Sequence, residues 1–334
     1  MTAGLTDELT PDVHRIAVPT PFAVGAVNCY LLTGEPLTLV DTGPNSGTSL
    51  DYLERGLAEL GVRVEDIGLI VLTHQHMDHE GLLAILERRS QAQVAAFAPL
   101  VPWIADYRAN AKGDDAYAQQ MMRRHGLPDE INMVLALLTS GMHWFGSNGT
   151  VTLPLNDGDT LSMGGREYSV HHRPGHSPSD LVLFNAETGL LVGGDHLLGH
   201  ISSNALLTRP LDGNTAGPRP TPLIDYSRSL RATHEMDVNT VLTGHGEAIT
   251  DHRTLIDTRL QDQDRRARKI LSLISQRPLT AHEIAQEIWG EIAIKQAYLT
   301  LSEVLGHLDL LLADGRAQER EADGVSRFGL RAGA

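Results

Sequence analysis

Several features that mark particular classes of protein are scarce in this sequence of 334 residues. Its single cysteine, Cys29, excludes an internal disulfide framework. No apolar run approaches the roughly 18 residues that a membrane-spanning helix needs. Residues 1–8 lack the basic and apolar segments of a secretory signal. These absences lead us to expect a cytoplasmic protein with no membrane partner.

Positive charge is also in deficit, with 27 Lys and Arg against 42 Asp and Glu and a net charge of −15 at pH 7. An acidic surface repels phosphates and so disfavours a general role on nucleic acid or on an anionic membrane. The same balance is common in cytosolic enzymes that act on small molecules. The chain is longer than the roughly 100–200 residues of one domain, which predicts two domains.

One short segment, residues 73–81 (THQHMDHEG), is by contrast crowded with groups that bind metals. Its four potential ligands are His74, His76, Asp78 and His79. Imidazole and carboxylate are the usual ligands of divalent first-row metals. The apolar run 67–72 predicts a buried strand and residues 81–88 the start of a helix. The ligands would then occupy the loop at the carboxyl end of a strand, where α/β sheets place their sites.

Single donors follow four other strand-like segments, each within two residues of a glycine. They are Asp41, His176, Asp195 and His245. Glycine lets the backbone bend sharply and approach an ion closely. One such residue alone would more often be a helix cap or a hydrogen-bonded core group, and the dense segment alone could be a solvated turn. Five such loops in one chain predict a shared metal site.

In this order the motifs resemble those of the metallo-β-lactamase-fold hydrolase superfamily, over residues 12–250. The resemblance implies an α/β fold, the αβ/βα sandwich of two sheets covered by helices, with a two-metal site. It implies that His74, His76 and His176 bind one ion, that Asp78, His79 and His245 bind the other, and that Asp195 bridges them. Asp41 would orient the histidine loop without touching metal. The glyoxalase II-like and lactonase branches fit best, since secreted β-lactamases commonly have Cys where Asp195 stands.

Two cations roughly 3.5–4 Å apart can share and activate one water. The resemblance therefore implies a hydrolase that uses a bridging hydroxide, with Asp78 as the catalytic residue that orients it and moves its proton. Zinc is the expected metal, with iron or manganese as alternatives. The expected substrate is an ester, thioester or lactone in a small, partly apolar molecule.

Residues 99–148 interrupt the strand pattern and form a predicted helical insertion that holds two of the three tryptophans. We interpret this insertion either as a lid over the metal cleft, where adaptable methionines suit lipophilic groups, or as the face of a homodimer. The candidate substrate contacts are Trp103, Tyr107, Trp144 and, after Asp195, His200.

The predicted domains are a catalytic unit, residues 1–255, and a C-terminal unit, residues 256–334, divided within a long charged helix. Residues 280–283 (TAHE) form a capping-box motif, and a helix and two strands follow it. This order resembles the winged-helix tail of the lactamase-β-like group, which implies an RNA endonuclease as an alternative. The predicted recognition helix of this unit, about residues 294–312, has a face that is mostly Leu, Val and Ala, which disfavours nucleic acid and favours support of the cleft or dimerisation. A non-catalytic binding protein is a third alternative, against which the intact ligand set argues.

Overall fold

A computed structural model describes residues 5–331 and contains two large sheets that face each other. The first has seven strands paired in chain order: β1 (Thr6–Thr10), β2 (Val13–Val18), β3 (Val27–Leu32), β4 (Thr38–Val40), β5 (Leu69–Val71), β6 (Gln93–Phe97) and β7 (Leu153–Leu155). Strands β1 to β4 are antiparallel, and β4 to β7 are parallel. Every residue of β3, β4 and β5 is buried, as expected for strands covered on both faces.

The second sheet has five strands in the order β12-β11-β10-β9-β8. They are β8 (Thr160–Met163), β9 (Arg166–His172), β10 (Leu181–Asn185), β11 (Leu190–Gly194) and β12 (Thr240–Thr243). Strands β11 and β12 are parallel, and the other neighbours are antiparallel. One core lies between the sheets and joins residues such as Val40 and Val71 to Val170 and Leu183.

Helices cover the outer faces of both sheets. The eleven α-helices of residues 5–331 are α1 (Gly47–Glu59), α2 (Met77–Glu80), α3 (Leu83–Ser90), α4 (Val101–Ala105), α5 (Tyr107–Arg124), α6 (Asp129–Ser140), α7 (Pro222–His234), α8 (His252–Gln276), α9 (Ala281–Trp289), α10 (Ile292–Lys295) and α11 (Ala297–Ala313). Leu53 of α1 packs on the first sheet, and Leu230 of α7 and Ile256 of α8 pack on the second. The predicted αβ/βα sandwich is confirmed.

The C-terminal unit contains helices α8 to α11 and a hairpin of β13 (Ala317–Ala322) and β14 (Val325–Leu330). The predicted capping box is present, because the Thr280 hydroxyl accepts from Glu283 N at 3.1 Å and the Glu283 carboxylate accepts from Thr280 N at 2.7 Å. The predicted order of helices and hairpin is therefore found.

The helical insertion and the C-terminal unit share one hydrophobic core. Tyr117 and Met121 of α5 pack with Ile270 of α8, Leu305 of α11 and Phe328 of β14. Helix α8 also runs without interruption through the predicted boundary after residue 255. No separate linker divides the described residues at that point, and the C-terminal unit is fixed to the catalytic body by the insertion.

None of the helices within residues 5–331 combines the length and the hydropathy that crossing a lipid bilayer requires.

Candidate metal centre

The loops with the predicted ligands meet at one edge of the sandwich, where several strands end. Residues 73–81 follow β5, and Asp195 and His245 follow β11 and β12. The loop geometry depends on small residues: a Cβ at Gly244 would lie only 2.1 Å from Asp195 Oδ1 and 2.8 Å from His79 Cε1. Glycine is therefore what allows this loop to close on the other ligands.

The structure brings all seven predicted ligands together, in two trios joined by one carboxylate. The trios are His74, His76 and His176, and Asp78, His79 and His245. Asp195 lies between them, with Oδ2 3.5 Å from His176 Nε2 and 3.6 Å from His245 Nε2. Its other oxygen, Oδ1, is 3.5 Å from His79 Nε2. This is the position that a bridging ligand requires.

Asp41 anchors the histidine loop from behind. It has φ 57°, in the left-handed region that Asp tolerates better than most residues. Its carboxylate accepts hydrogen bonds from His79 Nδ1 at 2.8 Å, from Thr73 N at 2.9 Å and from the Thr73 hydroxyl at 2.8 Å. Because that hydroxyl donates to Asp41, its oxygen is left to accept from His74 Nδ1 at 3.0 Å. Asp41 thus orients His79 directly and His74 through Thr73, as the sequence predicted for a residue outside the ligand set.

Backbone carbonyls hold two further histidines in the same way. His176 Nδ1 lies 3.1 Å from Asn204 O, and His245 Nδ1 lies 2.8 Å from Ala26 O. A carbonyl can only accept, so both rings carry their proton on Nδ1 and turn the Nε2 lone pair into the cluster. Such contacts on the far ring nitrogen are typical of metal-ligating histidines.

Three buried atoms of the cluster have no hydrogen-bond partner within residues 5–331: His79 Nε2, His245 Nε2 and Asp195 Oδ1. A buried polar atom left unpaired costs about 1–3 kcal/mol. Divalent cations would satisfy all three, and a set of imidazole and carboxylate donors without thiolate suits zinc, iron or manganese. The residues present therefore fit two metal ions.

Burial and local charge hold His74, His76 and Asp195 in the protonation states that ligands need. Burial lowers the pKa of His74 well below its usual value, and burial with the neighbouring His176 lowers the pKa of His76 to about 3. Burial opposes ionisation of Asp195, but the surrounding histidines, His79 first, outweigh it and hold the pKa of Asp195 well below normal. Neutral imidazoles and an ionised carboxylate are the forms that bind a cation. Burial also opposes protonation of His79 and His245, but the carboxylates of Asp195 and Asp78 outweigh it and raise the pKa of both rings, so a cation would displace a proton there.

The cluster opens into a cavity of about 750 Å³. Besides Met77 of the histidine loop, its apolar lining comes from three parts of the chain: Phe22 and Val24; Leu198, Ile201 and Leu206; and Trp289, Ile292 and Leu299. The last group belongs to the C-terminal unit. Sequence analysis missed these residues, because no local pattern shows which apolar side chains of distant segments face the same space.

The four predicted substrate contacts lie elsewhere. Trp103 and Tyr107 are buried in the core outside the first sheet, with their rings 5.4 Å apart. Trp144 is 68% exposed beneath the Arg108 guanidinium, and His200 is exposed beside Gly246. None of these four residues lines the cavity. The prediction is corrected, because the insertion turns its aromatic rings into the protein body or to solvent.

The interpretation of residues 99–148 as a lid is corrected for the same reason. No residue of the insertion lines the cavity; Phe145 only meets the lining residue Phe22 edge-to-face, with ring centres 5.6 Å apart. The C-terminal unit occupies the position expected of a lid. The homodimer stays a prediction. Helix α6 has exposed apolar residues, including Leu137 and Leu138, that such an interface would use.

Comparison with known proteins agrees with this geometry. The probable metallo-hydrolase YqjP of Bacillus subtilis (strain 168) is 36% identical over 306 residues, which cover 91% of this chain and 93% of the relative. Human acyl-coenzyme A thioesterase MBLAC2 is 26% identical over 181 residues, which cover 50% of this chain and 57% of the relative.

Two solved structures match nearly the whole chain. A metallo-beta-lactamase family protein from Thermus thermophilus superposes with a TM-score of 0.82 at 27% identity, covering 97% of this chain and all of its own. A beta-lactamase domain protein from Burkholderia ambifaria superposes with a TM-score of 0.83 at 26% identity, covering 97% of this chain and 94% of its own. The model of the metallo-beta-lactamase superfamily matches residues 23–245, which include every candidate ligand. Because these matches agree with the ligand loops and the sandwich fold, we conclude that the chain belongs to the metallo-beta-lactamase superfamily of metallo-hydrolases.

Proposed function

We propose that this protein is a dinuclear metal-dependent hydrolase that cleaves an ester, thioester or lactone bond in a small, partly apolar substrate. The observation that carries the proposal is Asp195, placed between two complete ligand trios on the floor of an apolar cavity. Zinc is our first choice of metal, since this donor set binds it more tightly than iron or manganese.

When bound, two such cations supply a water of lowered pKa and a Lewis acid for the scissile carbonyl. The side chains of the two trios and Asp195 would hold the cations. Hydrogen bonds on the Nδ1 atoms of four rings, those of His74, His79, His176 and His245, fix the angles of these rings. No serine or cysteine nucleophile is needed for this chemistry.

Asp78 is the carboxylate best placed to move a proton. Its side chain lines the cavity, and Oδ2 lies 3.4 Å from His245 Nε2. Burial raises the pKa of Asp78, but His79 and His245 outweigh burial and hold that pKa below its usual value. Asp78 is therefore ionised near neutral pH and can accept the proton of the attacking water and return it to the departing oxygen or sulfur.

The lining limits the choice of substrate. Apolar side chains on the cavity walls exclude bulk water around the reacting bond and favour a partly apolar molecule. The names of two relatives, the human acyl-coenzyme A thioesterase and the atrochrysone carboxyl ACP thioesterase of Aspergillus fumigatus, are consistent with carbonyl chemistry.

Hydrolysis assays with purified, zinc-loaded protein test the proposal. The panel contains acyl thioesters, lactones and single-stranded RNA. His76→Ala removes a candidate ligand and serves to exclude contaminants, and His234→Ala is the matched control at a histidine outside the cluster. We expect at least one carbonyl substrate to be cleaved by the wild type and the control but not by His76→Ala. Cleavage of RNA alone would contradict the proposal.

A further inference from the structure

The C-terminal unit forms one wall of the cavity, and that wall is apolar. Its side chains are Trp289 at the end of α9, Ile292 in α10 and Leu299 in α11. We call these three residues the C-terminal wall. Ile292 and Leu299 are 49% and 41% exposed, and Ile201 across the cavity is 40% exposed. Large apolar side chains left open together around a cavity mark a binding surface rather than a packing one.

The C-terminal wall is held in place from behind. The Arg266 guanidinium lies 4.8 Å from the centre of the Trp289 ring and 3.7 Å from Glu303 on α11. Asn204 Nδ2 donates to Leu299 O at 3.0 Å, which joins the wall to the loop that also supports His176. A wall fixed on both sides stays open as a preformed surface, which lowers the entropy cost of binding.

The charge of the cavity restricts what this surface can bind. Among the described residues that line the cavity there is no Lys or Arg, and the carboxylates present are Asp78, Asp195 and Glu303. Phosphates are bound in proteins chiefly by Arg, Lys and backbone N–H groups. Glu303 cannot bind them, and its partner Arg266, 3.7 Å away, does not line the cavity. The phosphates of a nucleotide carrier or an RNA strand therefore find no cationic side chain among the described lining residues, whereas an uncharged alkyl chain finds an apolar wall.

We propose that the C-terminal wall binds the apolar acyl chain of an uncharged ester or lactone and thereby sets chain-length specificity. This inference rests on the proposed hydrolase function. In the reaction, water oxygen bonds to the acyl carbon, the bond to the alkoxy oxygen breaks, and that oxygen takes up the proton. The wall acts on the part of the acyl group that does not react, and orients the carbonyl toward the ligand cluster.

A series of uncharged para-nitrophenyl esters tests the proposal: butanoate, octanoate and dodecanoate, with zinc-loaded protein. Each methylene that leaves water should raise kcat/KM by about two- to fourfold until the wall is covered. Leu299→Ala removes part of the wall and should reduce the gain between butanoate and dodecanoate by about five- to tenfold. Leu137→Ala is the matched control, because Leu137 is 76% exposed on α6 and does not line the cavity.

Equal rates along the series, or an equal gain in Leu299→Ala and the wild type, would overturn the proposal. A preference for coenzyme A thioesters or RNA over the uncharged esters would overturn it as well. Melting temperatures of both variants check that they are folded.

A binding measurement separates failure of the wall from failure of the hydrolase. Methyl octyl ketone is uncharged and is not hydrolysed, and its binding can be measured by calorimetry with metal-loaded and chelator-treated protein. If no ester, thioester or lactone is cleaved but the ketone binds and Leu299→Ala weakens its binding, the proposed function is wrong and the wall is supported. If esters are cleaved but the ketone binds Leu299→Ala and wild type equally, the wall is wrong and the function stands.

Discussion

Replacing Asp41 by Asn tests whether this residue orients the ligands. The carboxylate accepts three hydrogen bonds, from Thr73 N, from the Thr73 hydroxyl and from His79 Nδ1, all at 2.8–2.9 Å. An ionised carboxylate has only acceptors, whereas an amide of the same shape has one oxygen and one NH2 group. Whichever way the amide turns, its NH2 group faces a buried donor.

The consequence falls mainly on His79. If the amide NH2 faces Nδ1, that nitrogen must become an acceptor, and the ring proton moves to Nε2, the atom turned toward Asp195. A protonated Nε2 cannot bind a cation. Loss of an orienting partner of this kind costs about 10–100-fold in metal affinity, or about 1.4–2.8 kcal/mol. The Asp78, His79 and His245 trio should therefore lose affinity while the other trio changes less.

Competition for zinc with a chromogenic chelator can resolve two binding steps and so measures this loss. Thr73→Val removes the hydroxyl that links Asp41 to His74 but keeps the hydrogen bond between Asp41 and His79. It should therefore weaken zinc binding at the trio that contains His74. Asp66→Asn is the control, because it makes the same change at an exposed carboxylate held by Arg63. If Asp41→Asn binds zinc with wild-type affinity at both steps, the reasoning is refuted. It is also refuted if Asp41→Asn and Thr73→Val weaken the same binding step.

Three further outcomes follow from the structure. Chelation should lower the melting temperature, and added zinc should restore it in calorimetry, because the partnerless ligand atoms are buried. Burial lowers the pKa of His125 to about 3 in the folded protein, whereas an exposed imidazole has a pKa of about 6.5. Between these two pH values the unfolded chain binds the proton more tightly, so the free energy of unfolding falls as pH falls. His125→Leu should reduce that fall in urea unfolding, and an unchanged pH dependence would contradict this account. Arg219 forms a bidentate pair with buried Asp309, so Arg219→Ala should lower the free energy of unfolding by about 3 kcal/mol in the same assay.

The ligand loops could be predicted because the information is local. Each of these loops lies shortly after a strand-like run and contains a glycine, and strands that end at one edge of a sandwich bring such loops together. The apolar run before Asp41 forms β4, and the run 67–72, predicted as a strand, contains β5 as Leu69–Val71. The position of Asp41 followed from the family resemblance, and its bonds to His79 and Thr73 agree with it.

The substrate contacts could not be predicted in this way. Trp103 and Tyr107 belong to a segment rich in aromatic residues, but helices α4 and α5 pack them inward against the body of the protein. Trp289 and Leu299 carry no motif, yet they face the cavity because α5 and α8 to α11 share a core. Which side of a helix faces a cavity depends on what packs against its other side.

The sequence by itself determined the chemistry of this protein: the donor atoms, their order along the chain and the sandwich that brings them to one edge. Those features depend on residue type and on short-range pattern. Only the tertiary structure decided what surrounds the donors, namely that the C-terminal unit rather than the insertion forms a wall of the cavity. That outcome depends on contacts between segments far apart in the chain. The hydrophobic effect is not directional, so the packing of the whole protein decides which apolar surfaces remain exposed.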